Sequence, residues 1–281
     1  MKILVAVDKN PESQNALRYA CHLLDHFDAE VDALHVRRDA VDVTLESFDV
    51  PFVKRSDPEE WFGARAREVE SQIVDACRVC LAGRVPCEAK VVVGEPTDEI
   101  LRAARDGGYD MIVLGSRGFS SLAGFVLGSV HTKILHHAPL PVLIVHEVRE
   151  IRRILVAYRG SRCDQAALRF LAPLLARKKP EVTVLHVQET ALEESDGFAE
   201  ACLLQGRETL AGAGLHPVAK AARGDFAEEA LKEVVTGDYD LVVLGAYGHQ
   251  RPKFLKIISD EAINLVSKTM RPVLVYRDKG D

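Results

Sequence analysis

Residues 111–135 read MIVLGSRGFSSLAGFVLGSVHTKIL: an apolar run ending on Gly115, a glycine-spaced loop, and a helical stretch opening near Gly128-Ser129. Met111 to Leu114 is apolar throughout, as a parallel strand covered by helices on both faces should be. The loop carries the spacing G-x2-G-x9-G-S on Gly115, Gly118, Gly128 and Ser129. A helix N-terminus offers unpaired N–H groups and a positive dipole end to phosphate oxygens, and glycines let that backbone approach with no Cβ in the way. Ser129 adds a hydroxyl donor. In an open parallel sheet the ligand lies beyond the C-terminal ends of the strands.

Outward from this stretch, short apolar runs alternate with longer amphipathic ones, the pattern of β-α units stacked into a parallel sheet. The first half predicts strands at 2–7, 30–36, 88–93, 110–114 and 141–146 and helices at 12–27, 59–83, 97–106 and 129–137. Pro96 and Asp98 mark the start of the third helix. The order then repeats. KILVAVDKNPESQNALRYACHLL from Lys2 matches RILVAYRGSRCDQAALRFLAPLL from Arg153 at a shift of 151, and Leu34-His35-Val36 falls on Leu185-His186-Val187 at the same shift. Tyr109 to Gly115 meets Tyr239 to Gly245 at a shift of 130, so the first half holds 21 extra residues, in the loop-like RRDAVDVTLESFDVPFVKRSDPEEW. The fold class is α/β: two tandem open-sheet domains, 1–148 and 151–281, each a five-stranded mainly parallel sheet between helices. The charged HEVREIRR lies at their boundary.

The 281 residues suit two domains, and no apolar run approaches the ~18 residues of a membrane span. A net charge of -6 argues against a nucleic-acid footprint. MKILVAVD enters a strand with no signal-peptide pattern, so a cytoplasmic location is expected. The six cysteines should then stay reduced, most of them as small buried residues, with Cys77 and Cys80 of CRVC structural rather than redox or zinc ligands.

The glycine spacing resembles the ATP-binding signature of the universal stress protein family, matched in full by Gly115, Gly118, Gly128 and Ser129, and the likeness spans both halves. It implies a Rossmann-like fold of the adenine nucleotide α-hydrolase type, with ATP, alone or with Mg, in the first domain. Asp8 and Val36, at the ends of the first two strands, are then the adenosine contacts. Gly115, Arg117, Gly118, Gly128, Ser129 and Val130 are the phosphate contacts. Two departures stand out: Lys9-Asn10 replaces the commoner Gly-Ser, and His131 stands where a small residue is usual. A competing role for Asp8 is to cap the helix after Pro11.

The second half keeps Gly245-Ala246-Tyr247-Gly248, but Ile258 stands nine residues on, or Ser259-Asp260 once one extra residue is allowed for. Tyr158 is set against Asp8, and QRPKFLK makes the loop basic. This half should not bind ATP in the same way. The last strands, VLIVHEV and VLVYRD, are expected to join the halves as a pseudo-twofold pair, because they would otherwise leave a sticky edge. Dimerisation of two full chains stays open.

The expected role is a stress-response protein using ATP as a structural or signalling ligand. The alternative is a slow ATPase or phosphotransferase, for which a G-K-[ST] lysine and a metal-holding carboxylate are wanted. Neither lies between Gly115 and Lys133. An adenylate-forming synthetase or electron-transfer flavoprotein relative is a poorer reading, since Asp8-Lys9-Asn10-Pro11 replaces the pyrophosphate loop the synthetase needs. His136-His137 point apart on a helix and make a poor metal site. The repeat of His35 as His186 favours a structural place.

Overall fold

The computed structural model describes residues 1–8, 11–24, 27–38, 86–116, 127–247 and 258–277, with isolated helical positions at 67, 68, 71, 72 and 75. The remainder of the helix expected at 59–83, Cys77, Cys80, Arg117 and Gly118 lie outside the described residues.

In the first half the elements are β1 (Lys2–Val7), α1 (Pro11–Leu23), β2 (Glu30–Arg37), β3 (Cys87–Val93), α2 (Pro96–Asp106), β4 (Met111–Gly115), α3 (Ser129–His137) and β5 (Val142–Val145). The second half supplies β6 (Arg153–Ala157), α4 (Arg162–Ala176), β7 (Glu181–Glu189), α5 (Asp196–Ala211), β8 (Val218–Gly224), α6 (Phe226–Gly237), β9 (Leu241–Gly245), α7 (Asp260–Lys268) and β10 (Val273–Tyr276). The helix expected over 12–27 ends earlier, at Leu23. The chain tightens there into a turn, with Phe27 N–H donating to Leu24 O, and Glu30 N–H then donates to Met1 O to start β2 beside β1.

All ten strands form one sheet in the order β3-β2-β1-β4-β5-β10-β9-β6-β7-β8. Neighbours are parallel except β5 and β10, which run antiparallel with Leu143 opposite Leu274. The sheet is covered on both faces, and each face carries a layer of buried residues running through both halves. One layer joins Ile3, Val5, Met111 and Leu143 to Leu274, Val243 and Ile154, and the other joins Leu4, Ile112 and Ile144 to Val273, Val242 and Leu155. Burying each such side chain contributes ~1.5–3 kcal/mol, and two-sided burial is why the strands read as unbroken apolar runs.

The repeat is also legible in polar detail. Asp110 Oδ2 accepts from Lys2 N–H at 2.9 Å, and Asp240 Oδ2 accepts from Arg153 N–H at 2.9 Å. His35 Nδ1 donates to Val7 O at 3.0 Å and His186 Nδ1 to Tyr158 O at 2.9 Å. Both histidines thus lock the end of the first strand of their half, the structural place expected of them. Of the described cysteines, Cys21, Cys163 and Cys202 are buried, but Cys87 is exposed because β3 is an edge strand. Among the described residues no helix is long and apolar enough to cross a membrane.

Candidate functional site

In the first half the sheet order reverses at β1, with β2 and β3 on one side and β4 and β5 on the other. Ligand crevices of open α/β sheets lie at such a switch point, beyond the strand C-termini. Asp8 follows Val7, whose register partner is His35, so Asp8 stands level with Val36 on β2. Ala6 pairs with Leu114, which brings Gly115 to the other side of β1. The Asp8 backbone is fixed by Ser13, whose Oγ accepts from Asp8 N–H at 3.0 Å and donates to Asp8 O at 2.9 Å. Helix α1 begins three residues on, at Pro11.

Gly128 is the N-cap of α3, with φ -62° and ψ 156°; among the described residues no side-chain cap is formed, and no acidic residue lies in the first turn. Helices α4 to α7 differ, being capped by Ser161, Ser195, Asp225 and Ser259 with acids in their first turns. A helix start left without side-chain acceptor or negative charge suits an external anion. Ser129 is exposed there, and Val130 packs partly into the core. His131 turns inward instead: its Nε2 donates to Gly115 O at 2.7 Å, tying α3 to the end of β4.

Buried beside it, His146 has its pKa pulled down to about 4, first by desolvation and then by His131. A histidine held neutral in the fold but titrating near ~6.5 when unfolded gives stability that is complete above pH ~6.5 and is lost as pH falls towards the folded value. Between pH 7 and pH 5 the loss should be about 2 kcal/mol, above the range where most carboxylates titrate. Urea unfolding at the two pH values checks this, and His146→Gln should flatten the difference.

The second half has its own switch point, at β6, with β9 on one side and β7 on the other. Here two sequence-based assignments are corrected. Tyr158 does not correspond to Asp8: the His186 bond to its carbonyl places it at the position of Val7, with its side chain buried and its hydroxyl 2.7 Å from both Gln165 and Gln205. Arg159 is the residue at the Asp8 position. Likewise Ile258 does not occupy the place of Gly128. Ser259 is the N-cap and Asp260 the first helical residue, so Ser259-Asp260 replaces Gly128-Ser129, and Ile258 is a core residue at the position of Leu127. Counting residues across the loop could not choose this register; the Ser259 Oγ bond to Ala262 N–H fixes it.

A model of the universal stress protein family matches the chain twice, over residues 1–146 and 150–277. The chain belongs to that family. Universal stress protein YxiE of Bacillus subtilis is 37% identical over 148 residues, covering 51% of this chain and 97% of its own. Universal stress protein Slr1230 of a Synechocystis strain is 26% identical over 291 residues, spanning 98% of this chain and 99% of its own, so it shares the tandem length. A solved universal stress protein from Archaeoglobus fulgidus covers 99% of this chain and 98% of its own with a TM-score of 0.73 at 21% identity, a likeness of fold.

In this tandem universal stress protein, the described members of the expected site, Asp8, Val36, Gly115, Gly128, Ser129 and Val130, belong to the C-terminal ends of β1, β2 and β4 and the start of α3. Sequence reasoning missed Asp164. Its carboxylate accepts from the N–H groups of Gly245 at 2.9 Å, Arg159 at 3.0 Å and Ser161 at 3.1 Å, and from Ser161 Oγ at 2.8 Å. Its counterpart in the repeat is Ser13, which is shorter. Any Cβ on Gly245 would lie 2.4 Å from Asp164 Oδ1, so this glycine serves close packing.

Proposed function

We propose that this universal stress protein binds one ATP in its first domain, residues 1–148, and uses it as a structural or signalling ligand in a stress response. The observation that carries the reading is the start of α3: a glycine N-cap with no side-chain cap and no first-turn acid, at the switch point bounded by Asp8 and Gly115. Asp8 would accept from ribose hydroxyls, the Val36 strand end would flank the adenine, and the N–H groups around Gly128, Ser129 and Val130 would take phosphate oxygens. Gly115, Arg117 and Gly118 complete the proposed loop. A magnesium ion arriving with ATP would be held chiefly by phosphate oxygens and water. We further propose that the domains act as an intramolecular pseudo-dimer through β5 and β10, so that a ligand bound to one stabilises the whole. At ~100 times its dissociation constant a ligand stabilises the bound form by ~2.7 kcal/mol.

Calorimetric titration of the full chain should give one ATP per molecule. Asp8→Ala should weaken it roughly ten- to hundredfold through loss of a charge-assisted hydrogen bond of ~1.5–3 kcal/mol. Because Ser13 holds the Asp8 backbone, the loop should stay in place in that variant. An unchanged affinity would leave Asp8 as a backbone anchor alone.

A further inference from the structure

At the second switch point a side chain of the protein itself crosses from β6 to β9 and the start of α7. Arg159, at the position of Asp8, is only 3% exposed, and its guanidinium crosses the switch point to donate to Gly245 O at 2.7 Å and to Ser259 Oγ at 3.2 Å. Glu261 lies 4.0 Å away, and the Phe226 ring lies 4.7 Å from the guanidinium carbon. The carbonyl it grips corresponds to Gly115 O, which in the first domain is held by His131. The residue at the His131 position is Ala262, and this exchange of a large ring for a methyl leaves the carbonyl to a donor from the opposite wall. The helix start is closed too: Ser259 N–H donates to Ala246 O at 2.9 Å, and Ser259 Oγ accepts from Ala262 N–H.

Burying a guanidinium costs free energy unless its geometry is good, and a long flexible arginine at a sheet rim is otherwise free to extend into water. Here its backbone is fixed by Asp164 and its head is spread over groups from β9 and α7, with Asp260 and Glu261 adding negative charge. The first crevice has the opposite polarity, an acid on the rim and no acid at the helix start.

We propose that Arg159 is a built-in ligand: its guanidinium occupies the second domain's crevice, closes β9 onto α7 without nucleotide, and limits the chain to one nucleotide. The limit to one nucleotide rests on the function proposed above; the closure does not.

Hydrogen exchange on the full chain separates the two. In the wild type, ATP should slow exchange at 128–132 and leave 245–247 and 258–263 unchanged; protection of the second set by ATP would overturn the proposal. Absence of protection at 128–132 would count against the first-domain site alone. Independently of ATP, Arg159→Ala should speed exchange at 245–247 and 260–263 at least about tenfold, as expected on losing hydrogen bonds to a charged group. Millimolar ethylguanidinium, the fragment removed, should restore protection, and ethylammonium at equal ionic strength should not. Unchanged exchange in Arg159→Ala, or no discrimination between the two cations, would overturn it. Should that variant fail to fold, the milder Arg159→Gln carries the same expectation, and unchanged exchange in it would overturn the closure.

Discussion

Gly128→Val should abolish ATP binding, with affinity falling by more than a hundredfold, while the fold survives. The backbone at Gly128 is extended, with φ -62° and ψ 156°, a region that valine occupies without strain. The variant therefore tests access, not conformation. A β-branched side chain at the N-cap would stand over the first N–H groups of α3 and hold phosphate oxygens beyond hydrogen-bond reach. Losing two charge-assisted bonds of ~1.5–3 kcal/mol each accounts for the size of the effect. Calorimetry measures the affinity, and a thermal midpoint within a few degrees of wild type shows that the fold is intact. Wild-type affinity in this variant would sink the phosphate-loop assignment, leaving Gly128 a plain helix start.

The strands, and the elements that carry the proposed first-half site, were legible because their determinants are local. Ile3 to Val7, Met111 to Leu114 and Val142 to Val145 are apolar without alternation because helices cover both faces, and Gly115 and Gly128-Ser129 bracket their loop in plain register. What stayed hidden was long-range or depended on one residue of slip. Arg159 reaches Gly245 and Ser259, and Asp164 reaches Gly245, across most of the second domain, so no window of sequence contains both partners. The pairing of Asp8 with Arg159 follows from the 151-residue shift, and Tyr158 lies one position short of it. The side-chain period in a strand makes such a slip consequential, turning an inward residue into a rim residue. The start of α7 was ambiguous for another reason: the loop holds one extra residue, and only the Ser259 cap and the burial of Ile258 say where it goes. Arg277 was missed too. Its Nη1 donates to His136 O at 2.9 Å and Ala138 O at 3.0 Å, so the second half satisfies the C-terminal carbonyls of the helix whose N-terminus forms the proposed phosphate site.

Leu274→Asp should destabilise both halves together, by about 4 kcal/mol or more. Leu274 is fully buried, faces Leu143 across the antiparallel β5–β10 junction, and belongs to a core layer that includes residues of both domains. Replacing it forfeits ~1.5–3 kcal/mol of apolar burial and places a carboxylate where no water reaches, which adds several kcal/mol or forces protonation. Domain stabilities are ~5–15 kcal/mol, so the combined cost approaches the whole. The damage should not stop at the second domain. Opening the junction exposes β5 as an edge of unpaired backbone groups and removes the cap that Arg277 places on α3. Hydrogen exchange at Met111 to Leu114 reports the first domain and at Leu241 to Leu244 the second, and both should lose protection in parallel as denaturant rises. Val235→Asp, at a position 79% exposed on α6, is the control and should stay within about 0.5 kcal/mol of wild type. Wild-type protection of Met111 to Leu114 in Leu274→Asp would mean that the first domain stands without its neighbour, and the pseudo-dimer would then be two independent units sharing a strand pair.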